Sequence, residues 1–361
     1  MRIVLIVSVV LTLVLGFTYK ISQGPMVRVT IDTNNPDKFK KELKQLLEKN
    51  NFRGFARVYK KAIKLYPTDI GILNLHKEYI IKDYQYSVLR DTIPKGVSMY
   101  VTAPGINCQE GKLSKFAVNR FIARLNYYRR LAGVSDSCTL NTSLSDKAQM
   151  TAHFMHVNNT LTHDPKSNMK CYSKYVDEAA RKSNLSYGYG FIEALNGQMA
   201  ENEGSNAAVG HRRWILNPSN DVFGFGSTDK AMCLYVIDTE NINASGLGDG
   251  LFKDTHFVAW PAAGYFPKNL IYRRWSFSLQ NADFANAQVS VSVNGKAVKL
   301  SKEKPAIGYA INTLVWNIDS EIQVNKTYTI KISKVIAPAY GTGKPVTKTF
   351  TYTITPLAIS L

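Results

Sequence analysis

Apolar positions recur every three to four residues through the front of the chain and every second residue through its last third. The pattern predicts a helical front and a β-rich back. After Pro36, the positions Leu43, Leu46 and Leu47 form one helical stripe that Asn50-Asn51 breaks. Phe55, Tyr59, Ala62, Ile63 and Tyr66 form a second, stopped by Pro67. A third helix is expected from about Thr68 to Leu89, with Ile72, Leu75 and Tyr79 on one face. The clearest helix runs from Lys115 to Ala132, with Val118, Phe121, Ile122, Leu125 and Tyr128 on one face and Gly133 as its C-terminal stop. The next is expected to be capped by Ser143 and carries Leu144, Ala148, Ala152 and Met155. Its histidines, His153 and His156, fall off the apolar stripe and are expected to be solvated. Asp177 to Ser183 and Phe191 to Met199 are expected as further short helices.

Strands take over after Asn217-Pro218. In VFGFG (Val222–Gly226) glycines alternate with aromatics, the pattern of a strand against which another backbone packs closely. CLYVID follows from Cys233. Beyond a glycine-rich linker, Asn243 to Gly250, the pattern is all-β. VSVSV (Val289–Val293) leads into the hairpin turn Asn294-Gly295 and returns as KAVKL. Trp275 to Leu279, Leu314 to Ile318, Thr327 to Ile332 and Phe350 to Ile354 add more short strands, which argue for an immunoglobulin-like β-sandwich.

Charge and the N-terminus bear on where such a chain works. The formal charge is +18, but residues 1–105 carry 17 Lys/Arg against 8 Asp/Glu, residues 106–254 carry 16 against 15, and residues 255–361 carry 12 against 4. The basic flanks suit an anionic cell-envelope surface. No zinc finger or RNA-binding signature accompanies the charge, so no nucleic-acid partner is expected. Arg2 followed by the apolar run Ile3–Phe17 reads as an export signal in residues 1–24, either cleaved or kept as an anchor. Both readings put the rest of the chain outside the cytosol, secreted or membrane-anchored. The four cysteines contain no C-x-x-C, so two disulfides are expected, Cys108–Cys138 and Cys171–Cys233.

Candidate chemistry gathers in NGQMAENEGSNAAVGHRRWILNP, Asn196 to Pro218, where Glu201, Glu203 and His211 lie within eleven residues. His163 stands 48 residues before His211, in LTHDP. Two histidines and a carboxylate brought together by folding would hold a divalent cation such as zinc, with water as fourth ligand, or serve as an acid/base pair. A polar cleft without metal or chemistry is the plainer outcome. Around His211, the pattern predicts a short helix with Trp214, Ile215 and Leu216 inward and Arg212 and Arg213 at its rim.

In order, FIARLNYYRRLAGV, LNTSLSDKAQMTAHFM, LTHDP, KSNL, VGHRRWILNP and VFGFG resemble a bacterial-type CAP (SCP) domain over about residues 113–240. WPAAGYFP and RRWSFSLQNADF resemble the β-sandwich that accompanies it in some members. NNFRGFARVYKKAIKLYPTD looks like half of a tetratricopeptide repeat. The resemblance implies an α+β chain: a helical module at 36–95, an α-β-α sandwich CAP domain at 106–242 and a β-sandwich at 255–361. It also implies a cleft of two histidines and two acids that holds a divalent ion in some members. His163 and His211 match the histidines. Ser183 stands where the family carries its first acid, and Glu201, with Glu203 competing, matches the second. The family implies an exported binding or structural module for a lipid, an envelope polymer or a partner protein. The alternative is a metal-dependent hydrolase using His163, His211 and Glu201, for which no G-x-S-x-G or H-E-x-x-H motif is present.

Overall fold

Helices α1 (Pro36–Glu48), α2 (Phe52–Leu65) and α3 (Ile70–Tyr84) follow the three apolar stripes, and α3 runs on through one π-helical turn, Gln85–Leu89. Asn51 and Asp69 cap α2 and α3 by accepting from the backbone N–H groups of Gly54 and Ile72. The computed structural model describes residues 35–202, 206–237, 257–339 and 343–361, of which 36–361 cluster as one unit. The expected export signal, Glu203 and the linker Asn243 to Gly250 lie outside the described residues. No described helix is long and apolar enough to cross a membrane.

The middle of the chain builds a four-stranded sheet in the order β3 (Thr139–Leu140), β5 (Val222–Ser227), β6 (Ala231–Tyr235), β4 (Ser183–Tyr187). Side-chain alternation along β5 and β6 sorts the helices into two layers. Phe223, Phe225, Met232 and Leu234 meet α4 (Lys115–Leu131), α7 (Phe191–Ala200) and α8 (Gly210–Ile215). Ala231, Cys233 and Tyr235 meet α5 (Thr142–Asn158) and α6 (Lys174–Arg181). This is the expected α-β-α arrangement.

The two glycines of VFGFG explain how α5 reaches the sheet. A Cβ on Gly224 would lie 2.5 Å from the Leu144 carbonyl carbon, and one on Gly226 would lie 2.1 Å from the Gln149 nitrogen. Both neighbours are helix backbone, which cannot swing aside. The alternating aromatics fill the other face, where Phe225 stacks on Phe121 with centroids 3.6 Å apart.

Several local expectations are corrected. Asn141, not Ser143, caps α5: its side chain accepts from Leu144 N–H. The short helix α6 stops at Arg181, and Ser183 opens strand β4 instead. His153 is buried, with Nε2 2.6 Å from the Gly105 carbonyl oxygen. The reason is that the segment ahead of α4 lies over α5, where the Glu110 carbonyl also accepts from Gln149. A disulfide pins this overlay. It joins Cys108 to Cys171, and Cys138 and Cys233 are free and buried. The expected pairs Cys108–Cys138 and Cys171–Cys233 are therefore overturned. Cys108, in the segment over α5, bonds Cys171 in the loop between α5 and α6, whereas Cys233 is buried beneath α5 and Cys138 is buried on the other face of the sheet. Burial pushes the thiols up to about 11 and about 12, so neither is a ready nucleophile.

The C-terminal third forms two facing sheets. One is ordered β12 (Leu300–Lys302), β13 (Thr313–Ile318), β9 (Arg274–Ser278), β7 (Val258–Trp260). The other is ordered β11 (Lys296–Ala297), β10 (Gln288–Val293), β14 (Tyr328–Pro338), β15 (Pro345–Leu357), β8 (Gly264–Pro267). Read in chain order this is an immunoglobulin layout. Its first strand is split between the sheets, and β8 pairs parallel with β15. Trp275, Phe277, Leu314 and Trp316 of one sheet pack on Ile330, Ile332 and Ile354 of the other. The predicted turn holds both Asn294 (φ 50°) and Gly295 (φ 73°) in the left-handed region. KAVKL does not return as one strand: β11 pairs β10, and β12 crosses to β13.

The three parts share one core. Phe39, Phe55, Ile72 and Tyr79 of the helical front are continuous with Phe121 and Tyr128 of α4 and with Trp260, Phe266 and Leu357 of the sandwich. Arg130 of α4 binds both oxygens of Asp83 on α3 at 2.7 and 2.8 Å, and Arg120 and Arg124 grip Asp91.

Two outcomes test this packing. The Cys108–Cys171 loop spans 63 residues, for which chain entropy assigns about 4 kcal/mol. Non-reducing peptide mapping should recover this pair alone, with Cys138 and Cys233 alkylated only after unfolding; a bridge through Cys138 would contradict the fold. Replacing Gly226 by Ala forces backbone apart and should cost about 3 kcal/mol or more, a fall of roughly 6 °C or more in Tm. An unchanged Tm would show that α5 does not sit on β5 as described.

Candidate functional site

The cleft residues of the Asn196–Pro218 stretch sit on two helix ends that the chain turns sharply to align. Helix α7 ends at Ala200, and Glu201 follows in the left-handed region at φ 49°, its N–H bonded to the Gly197 carbonyl. Helix α8 is entered through Val209, also left-handed at φ 49°. That conformation is costly for a β-branched residue and persists only where the surroundings enforce it. The two turns bring Glu201 against the first turn of α8.

There the carboxylate is buried and fully engaged. Its Oε1 accepts from the Arg212 backbone N–H at 3.1 Å and from Asn206 Nδ2 at 3.1 Å. Its Oε2 accepts from Asn206 Nδ2 at 2.9 Å and faces His211 Nδ1 at 3.2 Å. The Asn206 side-chain oxygen accepts from Gly210 N–H at 3.0 Å, which closes the ring. The Glu201 side chain is 3% exposed and that of His211 29%. Asn206 Nδ2, which can only donate, lies 3.0 Å from the same His211 Nδ1, so the carboxylate and the amide ask opposite roles of that nitrogen, and the contacts hold the ring in place without fixing its tautomer. Glu201 thus orients the imidazole in the way an outer carboxylate orients a ligating histidine.

His163 stands apart from this ring. It is exposed on the loop before α6, and its Nδ1 lies 2.6 Å from the Ala180 carbonyl oxygen. A carbonyl oxygen can only accept, so Nδ1 of His163 carries the proton and its Nε2 is left as acceptor. Ser183 is buried at the head of β4, beside the Cys233 thiol. Its neighbour Asn184 reaches the cleft instead, donating to the His211 carbonyl at 3.0 Å. Of the three expected ligands, then, Glu201 and His211 are joined directly. Among the described residues, no three His, Cys, Asp or Glu side chains form a group that would hold a metal ion.

The arginines beside His211 are not a rim. Arg212 and Arg213 are both buried and Trp214 is only half-buried, against expectation, while Ile215 and Leu216 are buried as expected. Arg212 donates from Nε to the Met199 carbonyl (2.7 Å) and from Nη2 to the Ala200 carbonyl (3.1 Å), two of the unpaired acceptors at the end of α7. Its Nη1 crosses to the sandwich, reaching the Arg274 carbonyl at 2.8 Å. Arg213 holds the Ile311 and Ala306 carbonyls. Arg274 of β9 answers from the other side, donating to the Glu201 carbonyl at 2.8 Å. Burial lowers both guanidinium groups of the pair to about 10, still charged at neutral pH. Sequence reasoning missed this role because the acceptors lie at the end of α7 and in the sandwich, outside the short helix that carries the arginines.

Comparison with known proteins comes to three findings. No curated protein matches the chain significantly. Among solved structures, the N-terminal part of the bacterial S-layer protein SbsC is similar at 13% identity, over 88% of this chain and 54% of that one, with a TM-score of 0.17. The chain thus spans about half the length of that structure, and a score so low supports no conclusion about fold or function. Residues 122–236, which hold the sheet and the helices α5 to α8 with both histidines and Glu201, match the model of the cysteine-rich secretory protein family, CAP, and this part of the chain is a CAP domain.

Proposed function

We propose that the chain is an exported binding module: its CAP cleft takes an extracellular ligand, and its basic flanks hold it to an anionic cell-envelope surface. The observation that carries this reading is the closed hydrogen-bond ring around Glu201. Every carboxylate oxygen is already used by Arg212 N–H, Asn206 and His211. A buried acid so engaged positions a binding group rather than shuttling a proton. His163 keeps Nε2 as an acceptor, suited to a hydroxyl or amide donor on a ligand, and His211 presents a ring held in place by Glu201 and Asn206. The resemblance to CAP proteins and the basic flanks support the same reading. The hydrolase alternative needs His163, His211 and Glu201 around one ion, and among the described residues no three such side chains form a group that would hold one.

Two measurements test it. On a poly(glycerol phosphate) resin the purified chain should be retained at low salt and released well below 1 M, as screening of surface charge requires. Elution together with a neutral dextran control would refute the envelope reading. In equilibrium dialysis, zinc should bind no more tightly to the chain than to a His163→Ala/His211→Ala double variant. Stoichiometric zinc lost in that variant would instead make the cleft a metal centre, with Glu201 orienting a ligating His211.

A further inference from the structure

Away from the cleft, a cavity of about 350 Å3 opens where α2, α3, the end of α4 and the entry to the sandwich meet. One wall is apolar and aromatic, built from Ile63, Tyr79, Leu131, Phe257 and Tyr265. The charged lining is cationic: Arg53, Arg57, Lys60 and Arg130 against the single carboxylate Asp136. Spacings of four and three residues put Arg53, Arg57 and Lys60 on one face of α2. Asp136 is shared between Arg53 at 3.2 Å and Arg130 at 3.1 Å, and Arg130 is further held by Asp83. Arg57 makes no ion pair among the described residues.

A second polar feature belongs to the same cavity. His76 lines it, is 7% exposed, and stacks on Tyr59 at 4.0 Å. Its Nδ1 is buried without a hydrogen-bond partner in the protein. Burial holds the ring neutral, its pKa lowered to about 3, so it adds a hydrogen-bonding atom and no charge.

We propose that this cavity is a second binding site, which takes a medium-chain aliphatic carboxylate with its chain along the apolar wall and its carboxylate at Arg57 and Arg53. The volume suits the ligand: at ~30 Å3 for each water-sized group it holds roughly a dozen non-hydrogen atoms, the size of decanoate. An apolar wall with a few placed polar groups is the ordinary make-up of a small-molecule site. A guanidinium pairs with a carboxylate through two parallel hydrogen bonds, which favours an anionic over a neutral or cationic head group. None of His163, His211 and Glu201 lines the cavity, so the site stands independently of the CAP cleft.

The test is isothermal titration of the purified full chain with decanoate, below its micelle concentration, beside decanol and decylammonium. Decanoate should bind with one-to-one stoichiometry and at least tenfold more tightly than either control. Arg57→Glu, on the exposed side of α2, should weaken decanoate at least tenfold while leaving the fold intact by circular dichroism. Ala56→Trp, which fills the cavity, should abolish binding, and His163→Ala/His211→Ala should leave it unchanged. The proposal is overturned by absent decanoate binding, by equal binding of the three head groups, by binding indifferent to Arg57→Glu, or by binding lost in the histidine double variant.

Discussion

The buried guanidinium of Arg212 is the contact on which the arrangement of the functional half depends. Taking such a cation out of water costs several kcal/mol even after relaxation. The cost is offset because Nε, Nη1 and Nη2 all meet acceptors: the end of α7 on one side and β9 of the sandwich on the other. A hydrogen bond from a charged donor is worth about 1.5–3 kcal/mol, so the balance is favourable only while all these partners stay in place. Lysine, a point charge without the planar fork, would not serve both sides at once. The CAP domain and the sandwich are thereby fixed in one register, and Arg274 repeats the lock in the opposite direction by donating into the Glu201 turn.

The cleft inherits its geometry from that lock. Glu201 and Val209 both hold left-handed backbone, a conformation that side chains of their kind resist. The Glu201 turn is held at its carbonyl by Arg274 and at its carboxylate by the first turn of α8. Strain retained at such a site positions the imidazole of His211 before any ligand arrives. A pre-positioned group spares a ligand the entropy of ordering it. A change in the sandwich at Arg274 would therefore be felt at His211, although no side chain of the sandwich need touch the ligand.

What the sequence made legible were properties an element carries by itself. The stripe of Lys115 to Ala132, the Asn294-Gly295 turn and the alternating VFGFG each encode a local geometry, and each is found as expected. Glycine in VFGFG even announced the close helix, because only the absence of a Cβ admits backbone at that distance. The misreadings concern what covers an element from afar. His153 lies off the apolar stripe of α5, but a segment more than 40 residues earlier covers it, tied down by a disulfide whose partners no spacing rule selects among three pairings. Arg212 and Arg213 look like rim residues for the same reason: charge next to an apolar run signals solvent unless acceptors arrive from elsewhere, and here they come from the end of α7 and from residues 274 to 311. The sequence named His163, His211 and Glu201 together; the direct contact of Glu201 with His211 and the part of Asn206 in it were not legible, since both follow from the two left-handed turns.

The same distinction changes how the charge should be understood. The middle segment counts 16 basic against 15 acidic residues, yet Arg124, Arg129, Arg212 and Arg213 are buried and spend their charge on internal carbonyls and carboxylates. Among the described residues of this segment, those four bases are withdrawn from solvent against one acid, Glu201, so what they show is less basic than their formal balance. The helical front and the sandwich carry their lysines mostly on the surface, and a continuous core fixes both to the CAP domain. On the proposed reading a polyanion would meet those flanks. Fixed basic flanks would then hold the body to an anionic surface while the cleft, on the least basic part of the molecule, stays open to a ligand of another kind.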